Sequence, residues 1–121
     1  MAEQLKVITK SVDLMEYTYK ATENKEFFPI KYKTLIYRMQ NLCLDIYHYS
    51  IAANRLNATL QKQERIILHT RAITACDELS CLIELSHSLN RINIKKMEVW
   101  QNKINDVKNL TLAWRTSDAK R

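Results

Sequence analysis

Not one glycine occurs in this 121-residue chain, and its single proline is Pro29. Tight β-turns draw on glycine for their positive-φ positions, so a β-rich fold has no ready means of reversing its chain here. The same absence removes every glycine-rich phosphate loop and dinucleotide fingerprint. The composition therefore points to an all-α fold, and the length to one domain over residues 1–121.

Hydrophobic spacing supplies four helices. The clearest heptad is Leu35, Met39, Leu42, Ile46, Tyr49, Ala53 and Leu56, on a helix expected over 33–54. The first helix, about 4–22, carries Leu5, Ile8, Val12, Met15, Tyr19 and Thr22 as its seam. The third, about 58–89, carries Leu68, Ala72, Ala75, Leu79, Leu82, Ser86 and Leu89, with first turns that are polar all round. The fourth, about 94–116, turns Met97, Trp100, Ile104, Val107, Thr111 and Trp114 inward and leaves a short polar tail from Ser117. Pro29 interrupts the chain between the first two, where Phe27 and Phe28 are expected to tuck under the bundle end. Asn54, Asn57 and Asn93 suit helix ends and starts. Four amphipathic helices with short connections give an antiparallel up-down-up-down four-helix bundle.

The second helix has more apolar surface than one bundle covers. Ile36, Tyr37, Leu44, Tyr47, His48 and Ile51 lie beside or opposite its main seam. They are the expected oligomer interface, facing a second subunit. Arg38, Asn41 and Asp45 form a polar strip on the same helix, suited to specifying a helix or subunit pairing.

Formal net charge is +6. Residues 31–56 hold four basic side chains against one acidic, and residues 91–121 hold eight against three, while the other two segments are slightly acidic. Such an excess favours polyanions. Charge and off-seam position select Lys31, Lys33, Arg55, Arg91, Lys95, Lys96, Lys103 and Arg115 as candidate nucleic-acid contacts.

Catalytic chemistry finds no footing. Glu84 and His87 make an E-x-x-H, half of a di-iron bundle motif, but there is no second copy. His48, His69 and His87 form no H-x-x-x-H pair, and no serine has a paired base. Cys43, Cys76 and Cys81 form no C-x-x-C and fit a reducing compartment as small hydrophobes. The expectation is no enzyme, no metal and no cofactor. The N-terminus has no apolar run of signal-peptide or membrane-span length, which leads to a cytoplasmic, membrane-free expectation.

Several ordered residues resemble a known family. Tyr17 to Lys20, Phe28-Pro29, Lys31-Tyr32, Arg38 to Asn41, Leu44-Asp45-Ile46, Ala53-Asn54 and Leu112-Ala113-Trp114 look like the accessory variability determinant (Avd) proteins of diversity-generating retroelements. That resemblance covers nearly the whole chain. It implies a basic four-helix bundle that assembles as a homopentamer. It further implies binding to a reverse transcriptase and to template RNA, in support of mutagenic cDNA synthesis, without catalysis. The alternative is the related four-helix family encoded by intervening sequences in 23S ribosomal RNA genes. Its paired arginines and Ser-Ile-Pro stretch are missing here.

Overall fold

The computed structural model describes residues 2–121, with side chains from Lys6 onward. Helix α1 is Ala2–Glu23, α2 Lys33–Arg55, α3 Lys62–Ser88 and α4 Ile94–Ala119, with a 3-10 turn at Ile30–Tyr32 before α2. Helix α1 packs on α2 and α4, and α3 packs on α2 and α4. The two diagonal pairs are α1 with α3 and α2 with α4. This is an all-α antiparallel bundle. Among the described residues no helix is long and apolar enough to cross a membrane.

The core follows the expected seams on α2 and α4. Met39, Leu42, Ile46 and Ala53 are buried on the former, and Trp100, Ile104, Val107, Thr111 and Trp114 on the latter. Phe28 is buried at the bundle end and Phe27 half-buried.

Thr22 is buried as expected, but the rest of the α1 seam lies one residue away from its expected place. Val7, Ser11, Leu14, Thr18 and Ala21 are buried, whereas Ile8, Val12, Met15 and Tyr19 flank them half-exposed. Leu5, expected on the seam, lies outside the described side chains. The shift has a chemical cause. Ser11 donates to Val7 O at 2.8 Å and Thr22 to Thr18 O at 2.7 Å, so each hydroxyl is satisfied within its own helix. Ser50, Ser86 and Thr111 do the same on the other three helices. A small hydroxylated side chain bonded to the preceding turn sits in a core at little cost. Thr18 goes further: its Oγ1 accepts from Trp100 Nε1 at 3.1 Å, joining α1 to α4.

Two boundaries differ most from expectation, the start of α3 and the end of α4. Residues 58–61 form a turn instead of the start of α3. There Asn57 Oδ1 accepts from the amides of Thr59 and Leu60, while Gln61 Oε1 accepts from Asn57 N. The first turn of α3 is polar surface at Gln63 and Glu64, but Arg65 is 3% exposed. The tail after Thr116 is likewise helical to Ala119, with Asp118 fully buried. Arg65 and Asp118 bury each other as an ion pair at 2.9 Å.

At the other end, α3 stops on Asn90, whose φ of 59° is the left-handed conformation asparagine tolerates. Asn90 N bonds to His87 O and Arg91 N to Ser86 O, both at 2.9 Å, closing the carbonyls of the last turn. Asn93 Oδ1 then accepts from Lys96 N at 2.8 Å and starts α4, as its identity suggests.

Candidate nucleic-acid interface

The α1–α2 and α3–α4 connections meet at one end of the bundle. Arg91 Nη1 donates to Phe27 O at 3.5 Å across them. Five of the eight candidate residues gather here: Lys31, Lys33, Arg91, Lys95 and Lys96. Lys31 Nζ lies 5.3 Å and the Arg91 guanidinium 5.0 Å from the Tyr32 ring centre. Lys96 Nζ lies 5.0 Å from the Phe27 ring and 5.5 Å from that of Tyr17. A cation over a ring face is held by the ring quadrupole while keeping outward donors for an anion. None of these five is in an ion pair among the described residues.

Helix electrostatics add to this. Helices α2 and α4 both begin at this end, and neither has an acidic residue in its first turn. Lys33 opens α2, and Lys95 and Lys96 lie in the first turn of α4. A helix N-terminus carries partial positive charge, so lysines there oppose the local field by about 0.3–1 kcal/mol each. A bound anion relieves that repulsion.

The remaining three candidates are elsewhere. Lys103 lies further down α4, paired with Asp13 at 2.9 Å and resting 5.3 Å from the Tyr17 ring. Burial raises the Tyr17 phenol above its ordinary value, and Lys103 opposes that rise. Arg55 ends α2 at the opposite end, and Arg115, near the end of α4, donates to Thr70 Oγ1 at 3.3 Å. The eight residues therefore do not form one surface.

The flanks are neutralised by pairs between helices: Lys10 with Asp106, Arg38 with Glu78, and Lys108 with Asp77. The polar strip on α2 thus spends Arg38 on α3 of the same chain, at 2.7 Å, leaving Asn41 and Asp45 exposed. Of the expected oligomer strip, Ile36 is 8% exposed and belongs to the core of its own chain. Its position on the α1 side of α2 places it there and removes it from an intersubunit role. Tyr37, Leu44 and His48 are exposed, and Tyr47 and Ile51 half-buried.

Sequence spacing did not single out the polar cluster at the opposite end. Asp118 accepts from Arg65 Nε at 2.9 Å and Nη2 at 3.0 Å, from Arg121 Nε at 3.2 Å, and lies 2.7 Å from His69 Nε2. Arg65 Nη1 reaches Leu56 O at 3.0 Å. The Trp114 ring is 4.3 Å from that of His69 and 5.4 Å from the Arg65 guanidinium. Burial pushes the Asp118 carboxyl up, but the donors from Arg65, His69 and Arg121 outweigh it and hold it below its ordinary value. Burial lowers His69 below its ordinary value, an effect only partly offset by Asp118. Every polar atom of this carboxylate is turned inward and matched. The arrangement pins the start of α3, the end of α4 and the segment after α2 together.

Glu84 is exposed and His87 half-buried, and the described residues hold no cluster of three or more His, Cys, Asp or Glu. Burial pushes the thiols of Cys43 and Cys76 up to about 11 and about 12, which makes them poor nucleophiles. Comparison with family models, curated proteins and solved structures gives no match for this chain.

Proposed function

We propose that this protein is a non-enzymatic accessory factor that binds nucleic acid through the basic end of the bundle. The observation that carries this reading is the set of lysines at the starts of α2 and α4, beside Arg91 and three aromatic rings. Cations placed against a helix dipole cost stability, and a polyanion is the partner that reverses the cost. Guanidinium and ring faces also offer stacking to unpaired bases. The resemblance of the quoted residues to the accessory variability determinant proteins adds the biological setting. In that setting the bundle acts in the cytoplasm as a homo-oligomer, with template RNA and a reverse transcriptase as partners.

The direct test is a salt titration of binding to single-stranded RNA. Five phosphate contacts predict that the logarithm of affinity falls with a slope of about 3.5 against the logarithm of salt. Absence of binding at low salt overturns the reading. Co-purification with the reverse transcriptase tests the second partner.

A second reading, an oligomeric interaction bundle without a nucleic-acid role, is favoured by exposed apolar residues on α2. Tyr37 is 56% and Leu44 41% exposed. It predicts assembly without RNA affinity.

A further inference from the structure

A cavity of about 360 Å³ opens between α1 and α2, directly beside the basic end. Its apolar walls include Phe28 and Ile36, both buried, and Tyr37, which is 56% exposed. Lys25 and Lys33 stand at the same opening, as does the Glu23 carboxylate. An apolar-walled slot of this volume, with an exposed tyrosine and flanking ammonium groups, suits a nucleobase and its phosphates.

The polar groups in the slot narrow the choice of base. Thr22 Oγ1 donates to Thr18 O at 2.7 Å, so its lone pairs are what it offers Gln40. Gln40 must therefore turn its Nε2 toward Thr22, a contact of 3.0 Å, and its Oε1 is left as an acceptor. Glu23 adds two more acceptor oxygens. The lining thus offers acceptors on Gln40 and Glu23 beside the ammonium donors of Lys25 and Lys33. Guanine is the base with adjacent ring N–H and amino donors on its Watson–Crick edge, the pair that a carboxylate receives in two parallel bonds. Adenine offers only its amino group on that edge.

Resting on the nucleic-acid reading above, we infer that this slot takes one unpaired guanine of a single-stranded nucleic acid. The base stacks on Tyr37, its donor edge meets Glu23 and Gln40, and its neighbouring phosphates fall to Lys25 and Lys33. A duplex cannot use the slot, because its bases are stacked and paired.

The test is fluorescence anisotropy with a short oligouridine, the same oligomer carrying one central guanosine, and the same carrying one central adenosine. The guanosine oligomer should bind about tenfold tighter than oligouridine, the scale of one good two-point base contact. The adenosine oligomer should gain much less. Glu23→Gln and Tyr37→Leu, both at exposed positions, should each shrink the ratio of guanosine-oligomer to oligouridine affinity toward one, with each variant's own oligouridine affinity as the reference. Equal affinity for all three oligomers, or a guanosine preference that survives undiminished in either variant, overturns the inference while the nucleic-acid reading stands. Failure of every oligomer to bind at low salt overturns both.

Discussion

Arg65 and Asp118, 53 positions apart, meet in two parallel N–H···O bonds of 2.9 and 3.0 Å with both side chains out of contact with water. The pair ties the start of α3 to the end of α4, and Arg65 Nη1 adds the carbonyl of Leu56 beyond α2. Breaking it strands a buried charge. Arg65→Ala should cost about 3–5 kcal/mol in urea unfolding, and Asp118→Ala about as much. Arg65→Met with Asp118→Leu should cost less than either single change, because neither charge is then left behind.

Acid should loosen the same end in two stages. His69 is lowered in the folded protein, so the unfolded chain takes up its proton first as pH falls below about 6.5. Stability then declines by at most about 1.4 kcal/mol per pH unit until the folded ring also protonates. Asp118 is held low too, so its contribution is complete above its unfolded value and is lost as pH falls through the folded one. Urea melts from pH 7 to 5 should show a slope that His69→Gln flattens. An unchanged slope in that variant would refute the assignment.

The two tryptophans of the core should respond differently. Trp100 Nε1 donates to Thr18, so Thr18→Val leaves a buried N–H without an acceptor and should cost about 1–3 kcal/mol. Trp114 Nε1 has no partner among the described residues, so the loss of its N–H removes no hydrogen bond seen there. Thermal melts of Thr18→Val measure the first cost. Trp114→Phe then reports only lost ring area and the contacts with His69 and Arg65.

Lysines at the α2 and α4 starts set stability against binding. Lys95→Glu should raise the stability of the free protein by about 0.3–1 kcal/mol at low salt, by agreeing with the helix dipole. The same change should weaken RNA binding and reduce the salt slope by more than the single contact removed, because it also adds a repelling charge. Arg55→Glu, at the far end, should leave RNA affinity nearly unchanged. Filter binding of both variants decides between a localised interface and diffuse attraction.

Assembly has its own discriminating pair. Leu44→Glu places a charge on the exposed strip of α2 and should lower the mass seen by light scattering toward the single-chain 14.3 kDa, if that strip joins subunits. Ile36→Glu should instead unfold the chain, since that residue lies in the core.

Periodicity of apolar residues revealed the bundle, and α2 and α4 most clearly, because their core positions are themselves apolar. It misplaced the α1 seam, since Ser11 and Thr18 look like surface residues until their hydroxyls are seen satisfied. By the same pattern Arg65 reads as a solvated side chain and Asp118 as part of a polar tail. A buried ion pair is invisible to any pattern confined to one helix, because the partner that makes burial affordable is on another. The basic end was legible in part. Segment charge singled out Lys31, Lys33, Arg91, Lys95 and Lys96, but only the fold brings two connections together and sends Arg55 and Arg115 to the other end. The slot beside Tyr37 arises from contacts between α1 and α2, and local spacing holds no trace of it.

Helix α4 continues its inward row of Trp100, Ile104, Val107, Thr111 and Trp114 into Asp118. Greasy rows of this kind tolerate sliding, since a shift of one turn, about 5.4 Å, largely replaces one apolar contact with another. Here such a slip would drag a carboxylate away from its guanidinium into a dry environment. A lone acid at the end of the row therefore works as a ratchet stop, fixing how far along its neighbours this helix can settle.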